Sequence, residues 1–386
     1  MKESRRNGDC SVPLCPGAVF KCAALQRAAL KCTALLCAAL LCAALLCAAL
    51  LIFFTATGCR REKKVAQDDS ITIGFSIATD TFILERWNKD IKIFTGAARD
   101  LGAEVIVQLS AGGTKEQIAQ INFMLDKDID VLVVIAHDSE MLSGVVKKAR
   151  DAKIPVIAYD RLIMGVQIDA YVSFNNREVG RLFGRALSHA VPEGRYLIVN
   201  GSVHDNNSYE VNAGLHEILD PLIAPGKVHI VREIWLDEWS FDEALEKIGE
   251  VFSEDVDFDA ISCANDQIAE AAIQLLSEYR LAGKVAVVGQ DADIGACQKV
   301  VEGTQLMTVY KPIAKLANSA AAIAVALARG MQVPTELSAD NKSGSMIPFY
   351  IQEPQPVYRE TMDTTVILDG FHSREDVYRN FPGQVK

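Results

Sequence analysis

Val131-Leu132-Val133-Val134-Ile135-Ala136 and, further on, Ile154-Pro155-Val156-Ile157-Ala158-Tyr159-Asp160-Arg161 decide how this chain folds. A strand with one wet face alternates apolar and polar residues. Short Val- and Ile-rich runs that are apolar throughout suit strands covered on both faces, as in a parallel sheet. Ile71–Ala78, Glu104–Leu109 and Tyr171–Phe174 read the same way. Amphipathic helices lie between them, with Trp87, Ile91, Phe94 and Ala98 on one face of the first and Ile118, Ile121 and Leu125 on one face of the second. Thr114, with Gln117 three residues later, reads as a capping box.

After about Asn176 the pattern repeats. Tyr196–Val199, Val228–Val231, Ala260–Cys263, Val285–Val288 and Leu306–Val309 read as strands with helices between them. Two successive sets of βα units predict an α/β fold of two doubly wound, Rossmann-like lobes. A strong helix from about Ile313 to Ala328 is expected to cross back to the first lobe. The tail from Gly344 is expected to supply further crossings, with a short late strand at Thr364–Leu368. The expected division is residues 71–174 plus about 313–343 for the first lobe. Residues 175–312 plus part of 344–386 form the second lobe and the hinge crossings.

The first 58 residues are of another kind. Basic residues (Arg5, Arg6, Lys21, Arg27, Lys31) precede a Cys-Ala-Ala-Leu-Leu repeat that runs from about Cys32 to Leu51. Ala56-Thr57-Gly58-Cys59 then gives way to Arg60-Arg61-Glu62-Lys63-Lys64. A basic region, an apolar region and small residues before a Cys predict a secretory signal peptide cleaved at Cys59, which would carry lipid. Residues 59–70 would be the lipid-anchored linker. The apolar run is also long enough to span a bilayer, so an uncleaved anchor is the second reading. Either way the domain is expected outside the cytoplasm, in the periplasm or at the outer face of the cytoplasmic membrane.

Setting those residues aside changes the charge and cysteine counts. Six basic and two acidic residues lie before Cys59, so the formal net charge of -11 becomes -15 for the remainder (-11 minus +4). An acidic domain without a basic stripe is a poor nucleic-acid binder, and no nucleic-acid partner is expected. Of the 10 Cys only Cys263 and Cys297 lie beyond Cys59, without metal-ligand spacing, and they read as two buried free thiols.

In open parallel sheets ligands bind beyond the carboxyl ends of the strands. Those positions are unusually polar here: Asp160-Arg161, Asp205-Asn206-Asn207, Asn265-Asp266, Gln290-Asp291 and Lys311. Singly, each suits a helix N-cap or a solvated loop. Together they favour a polar cleft. Because Asp160, Asp291, Arg161 and Lys311 balance one another, a neutral ligand is expected. A polyol wants carboxylate acceptors, cationic donors and amides that do both. Trp239 is either a platform for the apolar face of a sugar ring or ordinary packing.

Catalytic patterns are thin. The His residues show neither metal spacing nor a nucleophile elbow, and Ile77-Ala78-Thr79-Asp80 lacks the glycines of a phosphate loop. The acidic run Glu254–Asp259 lacks the turn Gly and closing Glu of a calcium loop. No enzymatic activity, cofactor or metal is expected.

Six motifs, in order, carry a family resemblance. They are Leu84-Glu85-Arg86-Trp87-Asn88-Lys89-Asp90, Ala158-Tyr159-Asp160-Arg161, Asp205-Asn206-Asn207, Asn265-Asp266, Gly289-Gln290-Asp291-Ala292-Asp293 and Met307-Thr308-Val309-Tyr310-Lys311-Pro312. From Ile71 to about Asn380 the chain resembles the bacterial D-xylose-binding proteins, periplasmic components of ABC sugar importers. The resemblance implies a periplasmic binding protein of type I, with two lobes joined by a hinge and one sugar clamped between them. It implies ligand contacts from Arg86, Asp160 and Arg161 in the first lobe, from Asn207, Trp239, Asn265 and Asp291 in the second, and from Lys311 near the hinge. Thr81 departs from the family, which often has a second acidic residue after Asp80; that bears on the choice of pentose. The implied partners are a monosaccharide and an ABC permease, and a monomer is expected. A sugar-loaded sensor for a chemoreceptor or histidine kinase is the alternative with the same sugar chemistry.

Overall fold

The computed structural model describes residues 70–79 and 84–381. The expectations for the leader, Cys59 and the linker, and for Asp80 and Thr81, lie outside the described residues. Among the described residues no helix is long and apolar enough to cross a membrane.

The chain begins β1 (Ile71–Ala78), α1 (Leu84–Asp100), β2 (Ala103–Ser110), α2 (Gly113–Leu125), β3 (Val131–Ile135), α3 (Ser143–Asp151), β4 (Val156–Tyr159) and β5 (Ala170–Phe174). It continues α4 (Asn176–Ala190), β6 (Gly194–Ser202), α5 (Asn206–Ile223), β7 (Val228–Leu236), α6 (Phe241–Ser253), β8 (Ala260–Cys263), α7 (Asp266–Glu278), β9 (Ala286–Gln290), α8 (Ile294–Glu302) and β10 (Met307–Tyr310). Last come α9 (Ile313–Ala328), β11 (Ser338–Asp340), β12 (Met346–Gln352), β13 (Gln355–Val357), a 3-10 turn (Arg359–Thr364) and α10 (Arg374–Val377).

Two sheets result. The first runs β11-β12-β5-β4-β3-β1-β2 and the second β13-β10-β9-β8-β6-β7. All pairs are parallel except β11–β12 and β10–β13. β3 shows why its sequence is apolar throughout. Val131, Val133 and Ile135 pack on one side in a cluster with Trp87, Phe94, Leu316 and Ala320, while Leu132 and Val134 pack on the other with Ile121 and Val146. The second sheet is likewise covered on both faces. Helix α9 returns to the first sheet, its small residues Ala317, Ala320, Ala321 and Ala324 lying fully buried against that core.

The two sheets are joined by three crossings, at 174–176, 310–313 and 352–355. The first runs from β5 into α4, the second from β10 into α9, and the third from β12 to β13.

Three local expectations need correction. Thr364–Leu368 is not a strand: it closes the 3-10 turn and a following turn in which Phe371 N donates to Val366 O at 3.0 Å. Thr114 does not cap α2, whose N-cap is Gly112 without a side-chain bond; Gln117 instead turns inward and donates to Ile135 O at 2.8 Å. β7 is longer than Val228–Val231 because Arg232 and Glu233 continue the pairing after a register shift opposite Tyr196 and Leu197. Cys263 and Cys297 are buried free thiols, as expected.

Candidate functional site

The strand ends of both sheets converge on one cleft lined by Arg86, Trp87, Asp160, Arg161, Asp205, Asn207, Trp239, Asn265, Gln290, Asp291 and Lys311. All eight residues singled out from the sequence are brought together there. Three more were passed over. Trp87 carried only an apolar-face signal, which it honours at 1 % exposure while also touching the cleft. Asp205 and Gln290 stood in the strand-end motifs and could have been found there.

The two central carboxylates occupy equivalent places. Asp160 follows β4 and Asp291 follows β9, and each has positive φ, 62° and 98°. Each backbone N–H donates 2.8 Å to the neighbouring strand, Asp160 to Val172 O and Asp291 to Val309 O. The left-handed kink ends each strand with the Asp itself lining the cleft; Asp is among the few L-residues that tolerate it. Neither caps a helix: the N-cap of α8 is Asp293, and no helix starts after Asp160. The capping reading does hold for two neighbours. Asn265 Oδ1 accepts from Ile268 N at 2.9 Å, and Asp205 Oδ1 accepts from Asn207 N at 2.9 Å.

Trp239 reaches the cleft just before α6, which Ser240 caps by accepting from Glu243 N. Its ring lies flat on Gly201 of β6, where a Cβ would meet three ring carbons at 2.3–2.6 Å. Its Nε1 donates to Asp205 Oδ2 at 3.1 Å.

Charge pairing spans the lobes. Arg86, from the first turn of α1, donates to Asp160 and, at 3.3 Å, to Asp291 Oδ1. Lys311 Nζ stands 3.4 Å from the same Asp291 oxygen. Arg161 Nε meets Asp205 Oδ2 at 3.0 Å, both side chains nearly inaccessible. Asn207 Nδ2 donates to Asp160 O at 3.2 Å. The space enclosed is only about 30 Å³.

Burial shapes the ionisation of these groups. Burial alone would raise Asp160, but Arg86, Lys311 and Arg161 overcome it and hold it below the ordinary carboxylate value. Its share of stability is present above the unfolded-state pKa and lost as pH falls through the lowered one. Asp205 goes the other way, raised by burial against the pull of Arg161. Behind the cleft, burial pushes Asp90 up to about 7. Its contribution is present at acid pH and lost as pH rises through that value. Arg86 would be lowered by burial, yet Asp160, Asp291 and Asp90 keep it charged.

The arrangement presents carboxylates, a guanidinium pair, an ammonium, amides and an indole within one small space. That set can donate to and accept from several hydroxyls at once and cover an apolar ring face. Among the described residues no group of His, Cys, Asp and Glu is placed to hold a metal ion.

Comparison with known proteins agrees with the two-lobed α/β fold. The model of the periplasmic binding protein domain matches residues 79–332. The chain is similar to the D-xylose-binding periplasmic protein of Haemophilus influenzae, with 43% identity over 315 residues, 81% of this chain and 94% of that protein. Similarity to the D-xylose-binding periplasmic protein of Escherichia coli is 40% over 313 residues, again 81% and 94%. Among solved structures, a carbohydrate transporter solute binding protein from Chloroflexus aurantiacus, in complex with D-glucose, gives a TM-score of 0.74 at 24% identity, covering 80% of this chain and 98% of that one.

Proposed function

Since the chain belongs to the periplasmic binding protein domain family, we propose that it captures a monosaccharide, D-xylose first, between its lobes and delivers it to an ABC importer. The observation that carries this reading is the convergence of eleven polar and aromatic residues from both lobes on one cleft. Asp160 and Asp291 accept from sugar hydroxyls; Arg86, Arg161 and Lys311 donate; Asn207 and Asn265 do both; Trp239 covers a ring face. The sugar's hydroxyls share the groups that pair across the lobes, Arg86 with Asp291 and Arg161 with Asp205.

Binding then drives closure. The sugar touches both lobes only when they are together, and its differential contacts shift the population that way. The closed surface is what a permease recognises, and no covalent step is needed. Residues 60–386, produced without the preceding segment, are expected to be a monomer whose Tm rises with D-xylose by mass action. Thermal melts and calorimetric titration against a panel of aldoses check this; no response to any of them would sink the reading.

The protein is held at the membrane by lipid on Cys59. Ala56-Thr57-Gly58 before it and the charged run after it support this. Cys59→Ser is expected to free the protein from the membrane fraction, as read by fractionation and blotting. Retention of the Ser variant would favour an uncleaved anchor.

A further inference from the structure

Arg86 is supported from beneath by two residues outside the cleft lining. Asp90 lies one turn further along α1 and is fully buried, as is Tyr159, the last residue of β4. Tyr159 Oη donates to Asp90 Oδ1. Among the described residues Asp90 Oδ2 and Arg86 Nε, both buried, have no hydrogen-bond partner, and they face each other at 3.8 Å. The chain closes a ring: Tyr159 holds Asp90, Asp90 faces Arg86, and Arg86 grips Asp160, the residue bonded to Tyr159.

We propose that Asp90 is a positioning residue for sugar recognition, its carboxylate turning the Arg86 guanidinium toward the ligand and Tyr159 fixing that carboxylate. The inference rests on the reading of the cleft given above. Arg86 has five N–H donors in a rigid fork. Nη1 and Nη2 bond Asp291 and Asp160, so Nε is what remains to set the plane of the fork from behind. When a sugar takes Asp291 away from Nη1, Asp90 is the carboxylate that keeps the fork from following. A buried donor and a buried acceptor left 0.3 Å or so beyond hydrogen-bond range gain a full charge-assisted bond from a small shift.

Only the ionised form serves. Oδ1 already accepts from Tyr159, and a proton on Oδ2 would point at the Nε–H donor. Among the described residues the groups that act most on Asp90 are Arg86 on its own helix, Tyr159 and Asp160 at the end of β4, and Asp291 after β9. β1 and α9, which share this core, contribute apolar Phe75, Ile77, Ile313 and Leu316. Because burial places the Asp90 titration near neutrality, sugar affinity should carry its signature.

The test uses the full-length chain in mild detergent with D-xylose as probe. Kd is measured by titration from pH 6 to 8.5, and Tm is recorded at each pH. Wild-type affinity is expected to fall about tenfold from pH 8 to pH 6, as the competent ionised fraction falls. Asp90→Asn keeps the shape and an acceptor for Tyr159; it should bind about tenfold more weakly at pH 8 with a flat pH profile and an undiminished Tm. Tyr159→Phe removes a bond that favours the carboxylate, so its pH limb should move to higher pH. A purely structural Asp90 would change Tm and leave the pH profile alone. The inference is overturned by a flat wild-type profile, by an Asp90→Asn variant that binds like wild type at pH 8 or keeps the limb, or by an unmoved limb in Tyr159→Phe. If wild type itself binds no aldose, the reading of the cleft falls, and this inference with it.

Discussion

Asp291→Ala weakens D-xylose binding by about ten- to a hundredfold while the fold stays nearly as stable, because a carboxylate accepting from hydroxyls contributes roughly 1.5–3 kcal/mol per bond. Asp291 is well placed for such a loss. It caps no helix, and among the described residues its side chain, 15% exposed, meets the cations Arg86 and Lys311 at 3.3 and 3.4 Å. Removing it takes an acceptor from the cleft and little from the core. A capping role would predict the reverse: about 1 kcal/mol of stability lost with affinity intact. The left-handed backbone at this position disfavours Ala, so Asp291→Asn belongs beside it as the variant that keeps the backbone preference and removes the charge. Asp160→Ala is expected to weaken binding similarly. Unchanged affinity in both Ala variants, with Kd and unfolding free energy measured on the same samples, would mean the cleft is elsewhere.

Gly180→Ala is expected to act in the opposite sense, costing about 3 kcal/mol or more of stability and sparing the affinity of whatever remains folded. α4 and α5 cross at bare backbone. A Cβ on Gly180 would lie 1.9 Å from Val211 O, and one on Gly214 would lie 1.9 Å from Arg177 O. These are main-chain atoms, so no rotamer change relieves the clash and the helices must separate. For a chain of this size the loss is several degrees in Tm. Gly249, helical and with nothing within 4 Å of a Cβ, is the control: Gly249→Ala should be neutral or slightly stabilising. Equal Tm for Gly180→Ala and wild type would refute the close crossing.

How much of this was legible in the sequence follows from range. β1, β3 and β8 announce themselves through local composition, since a strand covered on both faces needs apolar residues at every position. The strand-end polar residues were legible for the same reason: topology places them, whatever their neighbours. What local patterning misses depends on a distant partner. β12 contains Pro348 and exists because Phe349–Gln352 pair with β5, far back in the chain. Thr364–Leu368 has strand composition but pairs with no strand; its threonines bond back into the 3-10 turn, Thr365 Oγ1 donating to Thr361 O at 2.7 Å. Gln117 offers a capping pattern but finds a better partner in β3. The positive φ of Asp160 and Asp291 is likewise invisible in composition, as is the ring that joins Asp90 to Arg86 through Tyr159.

The three crossings between the sheets also set an order of assembly. β6 to β10 form one contiguous stretch, so the parallel part of the second sheet is complete in the chain by residue 310. The first sheet is not. Its strand β12 and its covering helix α9 are made only after β6 to β10, although they dock on strands that are made first. Until residue 328 has emerged, the face of Phe75, Val133 and Ile157 has no α9 to cover it. Long-range parallel pairing is slow, and an apolar sheet face left waiting is prone to aggregate. The lobe begun first therefore waits for the parallel strands of the second before its own sheet is covered.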